Sequence, residues 1–256
     1  MWRRGNIPDI WWGWMSDMIP LLFAFFCVAA LYAAVGHGGA SGYLAVMALV
    51  GFAPEMLRPT ALVLNLCVSL IGAVLFFRAG HFRGRLFVPL VAASIPFAYV
   101  GGLIHLPGGW FHLLLAFALG FAALRLVLPT GGEAPLRTPR LAVLLALGAA
   151  IGLLSGLVGV GGGIFLTPLL VLLRWSDTRT AAALSAPFIF LNSAAGLLGQ
   201  LRSSVVFPDS LPWLVAAVLV GGSLGALWGS GRARLPQLRF VLAAVLAVAC
   251  LKLIVI

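Results

Sequence analysis

The sequence predicts an all-α polytopic membrane protein, built as two inverted repeats that each contain a re-entrant helical hairpin and three transmembrane helices. Three observations support this fold class: an extreme apolar composition, long apolar segments separated by short basic loops, and a glycine-rich break that occurs twice. Of the 256 residues, 62% are hydrophobic and only 9% are charged. A soluble domain of this length could not keep so much apolar surface from water, so the chain is expected to fold in a bilayer.

Apolar segments follow one another along nearly the whole chain. Several are long enough to cross a hydrocarbon core of about 30 Å. Glycine, proline and charged residues divide them at about 19–35, 40–52, 59–78, 85–104, 110–128, 140–158, 163–174, 180–200, 211–229 and 236–255. We therefore expect residues 19–256 to form a single membrane domain.

Residues 1–18 are expected to lie at the lipid–water interface. This segment contains Trp2, Trp11, Trp12 and Trp14, and tryptophan rings favour the headgroup region. Asp9 and Asp17 interrupt the apolar run that a cleavable signal peptide would need, so the segment is expected to be retained.

The cysteines indicate no redox or metal chemistry. Cys27, Cys67 and Cys250 each lie inside an apolar segment, without metal-ligand spacing. Such residues are typical small buried apolar side chains, so we expect no disulfide, no metal site and no cofactor.

The two halves of the chain, at about 19–129 and 140–256, resemble each other. Each opens with an apolar stretch that glycines interrupt, "VGHGGASGYL" at 35–44 and "VGVGGGIFLT" at 158–167. Three pairs of residues are separated by similar offsets between the halves: Gly36 and Gly159, Asn65 and Asn192, and Gly101 and Gly225. Offsets that agree this closely indicate an internal duplication.

Each interrupted stretch predicts a hairpin rather than one straight span. A single helix over residues 20–52 would be about 50 Å long, roughly 20 Å more than the hydrocarbon core. Two short helices that fold back at the glycine break fit better, and each arm is short for a full span. A hairpin and three spans per half make the halves inverted copies.

The distribution of charge supports the same topology. With hairpins, the loops near 78–85, 129–140, 174–180 and 229–239 share one side of the membrane, and they hold most of the sixteen basic residues. By the positive-inside rule this side is cytoplasmic, in the cell (inner) membrane, and both termini are extracytoplasmic. The net charge of +10 therefore reflects topology, and we expect no nucleic-acid binding.

Inverted repeats with broken helices are typical of secondary transporters, which hold substrate near the midplane. Irregular backbone at that depth must be buried in protein or line a cavity, so the glycine breaks predict the site. The helix that begins after each break points its N–H groups and positive dipole end inward, which favours an anion. No charged residue lies deep in any segment, which disfavours a cation pump. The predicted substrate-binding residues are Gly36, His37, Gly38, Gly39, Ser41, Asn65, Gly161, Gly162, Gly163 and Asn192.

Each of these residue types also has a purely structural interpretation. Clustered glycines allow close helix packing, a serine after a break can cap a helix, and a lone asparagine in a span often joins two helices. His37 could act as a protonatable partner for an anion, but its counterpart in the second half is Val160.

The chain resembles the TauE/SafE family of sulfite exporter-like permeases. The resemblance rests on "GHGGASGYLAVMAL" and "GLVGVGGGIFLTPLL" (which includes Pro168), "RPTALVLN" at 58–65, "RAGHFRGRL" at 78–86 and the Gly101/Gly225 pair, and covers about 19–256. It implies a single membrane transport domain that moves small sulfur-containing or organic anions, such as sulfite, thiosulfate or sulfonates, or carboxylates. The sequence departs from a uniform glycine run at His37–Ser41 and has Ala45 where the second half has Pro168.

Three alternatives stay open on sequence grounds: an anion channel with the same site, a transporter of small carboxylates, and a structural protein. An enzyme is not expected, because the chain has no G-x-S-x-G or H-E-x-x-H motif and no buried acid pair. The expected partners are a small anionic substrate, the lipid bilayer and a coupling ion, either H+ or Na+. The pattern does not specify an oligomeric state.

Overall fold

The computed structural model describes residues 9–34, 36–78, 80, 82–127 and 136–231, together with 243, 246–247, 250–251 and 254. In these parts of the chain the secondary structure is helical and contains no strand. The helices are α1 (Asp9–Ala34), α2 (Ala40–Val50), α3 (Pro54–Arg78), α4 (Gly84–Leu103), α5 (Gly108–Val127), α6 (Leu141–Val158), α7 (Gly163–Leu172), α8 (Thr178–Gln200) and α9 (Leu211–Gly231). Most of the last predicted segment, 236–255, lies outside the described residues.

Five of these helices are long and apolar enough to cross a membrane. The spans are Pro54–Leu75, Gly84–Leu103, Leu141–Val158, Arg179–Gln200 and Leu211–Gly229. Shorter apolar helices cover Met18–Ala34, Ala40–Val50, Gly109–Leu124 and Gly163–Leu172. The prediction of an all-α, polytopic membrane protein is confirmed.

Helix α1 begins earlier than the first apolar segment. It runs without interruption from Asp9 through Pro20 to Ala34, so residues 9–18 of the predicted interfacial segment are helical and continuous with the first apolar segment. Residues 1–8 of that segment lie outside the described part of the chain.

Both glycine-rich stretches interrupt the helices where the sequence predicts. The first break separates α1 from α2, and the second separates α6 from α7. Next to the first break the hydroxyls of Tyr32 and Ser41 are 2.9 Å apart, and the rings of Phe25 and Tyr43 stack at 5.5 Å. These contacts show that α1 and α2 fold against each other.

The two outer ends of the α6–α7 pair also lie together. The backbone N–H of Arg137, just before α6, donates to the carbonyl oxygen of Arg174, just after α7, at 2.7 Å. Asp177 then begins α8, because its carboxylate accepts hydrogen bonds from the backbone N–H and the hydroxyl of Thr180. These bonds outweigh the effect of burial, which alone would raise the pKa of Asp177, and leave that pKa below its usual value.

Close helix packing depends on glycines that face backbone. A Cβ at Gly148, Gly152 or Gly156 of α6 would overlap the carbonyl oxygens of Leu90, Ser94 or Ala98 of α4. In a second helix pair, Gly221, Gly225 and Gly229 of α9 lie in the same way against Phe26, Ala30 and Ala34 of α1. Small residues at these spacings let helix backbones approach closely, as in other membrane proteins.

Helices α3 and α8 occupy the centre of the bundle and contact each other. Helix α3 also contacts α9, and α8 also contacts α4. Their mid-helix asparagines, Asn65 and Asn192, are almost fully buried.

At one end of the bundle, a pocket of about 370 Å³ is surrounded by residues 83–86, 136–139 and Trp175. Three of the four loops that the charge pattern assigns to one side therefore meet at this pocket.

Candidate functional site

The two breaks have similar backbone angles at their first and last glycines, although Gly161 has a positive φ and its counterpart Gly38 does not. Gly36 and Gly159 come just after the first helix of each pair, with φ angles of 78° and 83°. Gly39 and Gly162 precede the second helix, with φ angles of 91° and 81°. Residues with a side chain rarely adopt these angles, so the glycines are needed for the turn itself and not only for close packing.

The helices that begin at the breaks have no side-chain cap. The N-cap residues of α2 and α7 are Gly39 and Gly162, and neither can supply a side-chain acceptor. Each helix start therefore presents first-turn N–H groups and the positive end of its dipole. The first residues of both helices, Ala40 and Gly163, are buried, so the two starts lie inside the protein.

Asn65, in the middle of α3, lies between the two breaks. Its amide Nδ2 donates to the carbonyl oxygen of Val160 at 3.3 Å and to the hydroxyl of Ser193 at 3.0 Å. Its Oδ1 lies against Gly38 and has no hydrogen-bond partner among the described residues. One side chain thus contacts the first break with its oxygen and the second break with its nitrogen.

Ile189 of α8 also contacts both breaks. Its side chain lies against Gly38 of the first break and against Gly161 and Gly163 of the second. His37 is half-buried, and its Cδ2 would lie 3.9 Å from a Cβ built on Gly163. The structure therefore brings together Gly38, His37, Asn65, Gly161 and Gly163, all of which the sequence predicts as site residues.

Two predicted residues have other partners. Ser41 is buried in the first turn of α2, and its hydroxyl pairs with Tyr32 of α1. Asn192 donates from Nδ2 to the hydroxyl of Ser94 on α4 at 3.0 Å and to the carbonyl of Phe188 at 2.9 Å. The offset that relates Gly101 to Gly225 pairs Asn65 with Ile189, so Asn192 lies one helical turn beyond the position equivalent to Asn65.

Tyr43 is a candidate site residue that sequence reasoning missed. Its ring is fully buried, and its hydroxyl has no hydrogen-bond partner among the described residues. The ring tip lies against Gly39, since a Cβ there would be 2.8 Å from the Tyr43 hydroxyl. One feature of the sequence could have identified it. Tyr43 lies one turn after the break, and Ser41 is the one other buried hydroxyl residue in α2.

Arg58 was also missed, because the sequence places it at the edge of its segment. The guanidinium donates to the carbonyl oxygens of Gly101 and Ile104, at the end of α4, and of Gly156, near the end of α6. Its backbone also lies against Gly159. A cation is favourable at the negative C-terminal ends of helices. Through these contacts Arg58 connects α3 with the end of α4 and with the second break.

The buried polar groups are neutral. The described polar side chains in the interior are hydroxyls and amides, and none is a carboxylate: Ser41, Thr60, Asn65, Ser69, Ser94, Ser155, Ser176, Thr180, Ser185, Asn192, Ser193 and Gln200. Several keep an unpartnered atom among the described residues, including Oδ1 of both asparagines. An interior of this kind can bind a polar solute through hydrogen bonds and helix dipoles.

The spans and the buried breaks define a multi-pass helical membrane protein with a polar centre. The family model described as Sulfite exporter TauE/SafE matches residues 21–253. The chain belongs to this family, as its motifs predict, and is a membrane transporter.

Similar proteins carry matching descriptions. The chain is 40% identical over 244 residues to "Probable membrane transporter protein y4hK" of Sinorhizobium fredii, across 93% of this chain and 99% of the relative. It is 28% identical over 261 residues to "Probable membrane transporter protein YjnA" of Bacillus subtilis, across 94% of this chain and 100% of the relative. No solved structure matches the chain significantly.

Proposed function

We propose that this transporter moves a small anion by a secondary mechanism, and that the anion contains sulfur, as in sulfite, thiosulfate or an organosulfonate. The observation that carries the proposal is the position of Asn65, whose side chain contacts both glycine breaks. The two uncapped helix starts direct positive dipole ends into the same buried region. Such ends are preferred binding places for oxyanions.

In this proposal the halves at about 19–129 and 140–256 are inverted repeats, each with a re-entrant hairpin. The matching φ angles of the two breaks support the repeat. So does the packing of α4 on α6 and of α9 on α1, in which Gly101 lies against Leu153 and Gly225 against Ala30. The hydrogen bond between Arg137 and Arg174 supports a hairpin that returns to its starting side.

The donors would come from the backbone and from neutral side chains. Gly36, Gly38 and Gly39 in the first break and Gly161–Gly163 in the second would supply backbone N–H groups, since glycine has no Cβ between its backbone and a ligand. Tyr43 adds a buried hydroxyl beside the start of α2, and that hydroxyl can donate. Because no buried carboxylate is present among the described residues, an anion meets no like charge there.

The choice of a sulfur oxyanion rests on the family description and on chemistry. Sulfite, thiosulfate and sulfonates present several acceptor oxygens on one centre, and two converging helix starts can satisfy these acceptors together. Small carboxylates present a planar pair of oxygens and form the alternative substrate class. Asn65, His37 and Ser41 would then contribute to selectivity among anions.

The proposed location is the cell (inner) membrane, with both termini outside the cytoplasm. The basic loops that meet near Arg83, Arg137 and Trp175 support a common cytoplasmic side. The proposed coupling ion is H+ or Na+. The imidazole of His37 lies beside Gly163 and can carry a proton, and proton coupling would act through it.

Flux in proteoliposomes tests the proposal. Purified protein would be reconstituted, and uptake of labelled sulfite, thiosulfate, a sulfonate and a small carboxylate would be measured with imposed H+ or Na+ gradients. We expect saturable flux of at least one sulfur anion, with counterflow. Absence of flux for all four solutes would refute the proposal, and single-channel conductance without counterflow would identify a channel.

A further inference from the structure

A concave site lies outside the group of residues that contact Asn65. The pocket of about 370 Å³ is lined by residues of three elements: Arg83, Gly84, Arg85, Leu86, Leu136, Arg137, Thr138, Pro139 and Trp175. The first four residues come from the start of α4, the next four precede α6, and Trp175 follows α7. The backbone hydrogen bond from Arg137 to Arg174 holds the last two elements together.

The pocket lies where two of the candidate membrane spans begin. Its residues flank the first residues of two spans, Gly84–Leu103 and Leu141–Val158. Trp175 is buried at 8% exposure, whereas the three arginines are exposed. An aromatic and aliphatic floor below cationic groups is the arrangement that interfacial headgroups encounter.

The described lining of the pocket is positively charged. It includes Arg83, Arg85 and Arg137, and none of the described lining residues carries a carboxylate. Asp177 is close in sequence, but its carboxylate accepts hydrogen bonds from Thr180 in its own helix. Guanidinium groups bind phosphate in a bidentate manner, so three of them around one cavity favour a phosphate-bearing ligand.

The neighbouring surface indicates that this phosphate belongs to a lipid. Val88, one turn into α4 from Gly84, is 63% exposed, and Leu141, the first residue of α6, is 61% exposed. These apolar side chains continue from the pocket along the membrane-facing surface, where acyl chains can cover them. A free phosphate would make no use of this surface.

We propose that this pocket binds the phosphate group of an anionic phospholipid, with the acyl chains along the adjoining faces of α4 and α6. The bound lipid joins the start of α4, the segment before α6 and the α7–α8 connection. Because these elements come from both halves of the chain, lipid binding stabilises their mutual arrangement. This site needs no transported anion and is independent of the function proposed above.

Lipid binding to the purified full-length chain tests this assignment. Native mass spectrometry and thermal midpoints would be recorded in detergent with phosphatidylglycerol, phosphatidylcholine or soluble glycerol phosphate. The test variant is R83Q/R137Q. The charge-matched control is R78Q/R179Q, which changes two exposed arginines outside the pocket on the same predicted side.

We expect phosphatidylglycerol to bind more tightly than phosphatidylcholine and to raise the thermal midpoint. Each pocket arginine contributes roughly fivefold to affinity for an anionic lipid, so R83Q/R137Q should weaken binding about 25-fold. The control should change it by about twofold or less. If the thermal midpoint of R83Q/R137Q in phosphatidylcholine equals that of the unmodified chain, the test variant is folded. If that midpoint is lower, R85Q is measured in its place.

Three results would overturn the assignment. Equal losses in R83Q/R137Q and R78Q/R179Q would show general surface electrostatics rather than a site. Unchanged phosphatidylglycerol binding in a folded pocket variant would place the lipid elsewhere. Glycerol phosphate that binds as tightly as phosphatidylglycerol would make the ligand a soluble phosphate.

Discussion

The amide Nδ2 of Asn65 in α3 donates a hydrogen bond to the carbonyl oxygen of Val160 in the second glycine break, at 3.3 Å. The same side chain places its Oδ1 against Gly38 in the first break. Asn65 and Val160 are 95 residues apart in sequence, and both breaks contact this one asparagine side chain. Any movement of one break relative to the other therefore alters the environment of Asn65.

Replacing Asn65 by alanine should abolish most transport. The substitution removes the bonds to Val160 and Ser193 and should lower the free energy of unfolding by about 1–2 kcal/mol. We expect flux in proteoliposomes to fall roughly tenfold or more, because the break loses its fixed position. Asn192→Ala, which removes bonds to Ser94 and Phe188, should cost similar stability with a smaller effect on flux. An equal or larger loss in Asn192→Ala would instead support the substrate-binding role that the sequence predicts for Asn192.

A methyl group at Gly161 should be far more harmful than one at Gly51. Both glycines have positive φ, 75° and 92°, so either alanine strains the backbone by about 1–2 kcal/mol. A Cβ at Gly51 meets nothing within 4 Å, whereas one at Gly161 overlaps the Asn65 amide and lies 2.8 Å from the Ser193 hydroxyl. Gly161→Ala should therefore lose transport and thermal stability, while Gly51→Ala should keep transport. Comparable flux in both variants would mean that the second break tolerates displacement.

Removing the Tyr43 hydroxyl should separate binding from stability. Tyr43→Phe deletes an unpartnered buried hydroxyl, so stability should be unchanged or higher by about 1 kcal/mol. If the hydroxyl donates to the transported anion, the KM for flux should rise about five- to tenfold. Tyr32→Phe, which loses its contact with Ser41, should instead lower the thermal midpoint. A KM unchanged by Tyr43→Phe would exclude this hydroxyl from the site.

Arg58 should be a stabilising residue that lysine cannot replace. Arg58→Ala leaves the carbonyls of Gly101, Ile104 and Gly156 without their donor, at a cost of about 2–3 kcal/mol. Arg58→Lys keeps the charge but lacks the planar fork that reaches three acceptors, so it should recover only part of the loss. Thermal midpoints in detergent measure both, with the exposed Arg202→Ala as the reference. Full recovery by lysine would show that charge alone is needed.

Alanine at Gly101 and at Gly225 should cost similar amounts of stability. Each Cβ would press on a backbone carbonyl of the partner helix, Leu153 for Gly101 and Ala30 for Gly225. We expect losses of about 1–3 kcal/mol in each case, from overpacking at equivalent contacts. Gly109→Ala, where a Cβ meets nothing within 4 Å, should be neutral or slightly stabilising. A large cost at one position and none at the other would argue against equivalent helix pairs.

The helical membrane fold, the family and the two breaks could be predicted from local patterns. The length of a spanning apolar segment has to match the thickness of the bilayer, so spans can be identified from sequence. A glycine run inside such a segment predicts an interruption of the helix. The pairing of Gly101 with Gly225 as repeat equivalents stays a prediction from the sequence, because it rests on their similar distances after the two breaks.

The functional partners of individual side chains depended on tertiary structure. Asn65 and Asn192 look equivalent in sequence, yet one contacts both breaks and the other bonds to α4. Tyr43 and Arg58 gave weak signals, because the direction of a side chain on a buried helix depends on helix rotation and crossing. Those are set by packing between segments distant in sequence, as where Gly148, Gly152 and Gly156 meet α4.

The sequence by itself determined that this protein crosses the membrane as apolar helices and breaks twice at glycines, because burial of backbone and apolar surface in lipid leaves few other structures. Only the tertiary structure decided which polar groups converge. It placed Asn65 between the breaks, Ile189 against the same glycines and three arginines around one surface pocket. Convergence of this kind depends on close packing between distant helices, which local sequence does not encode.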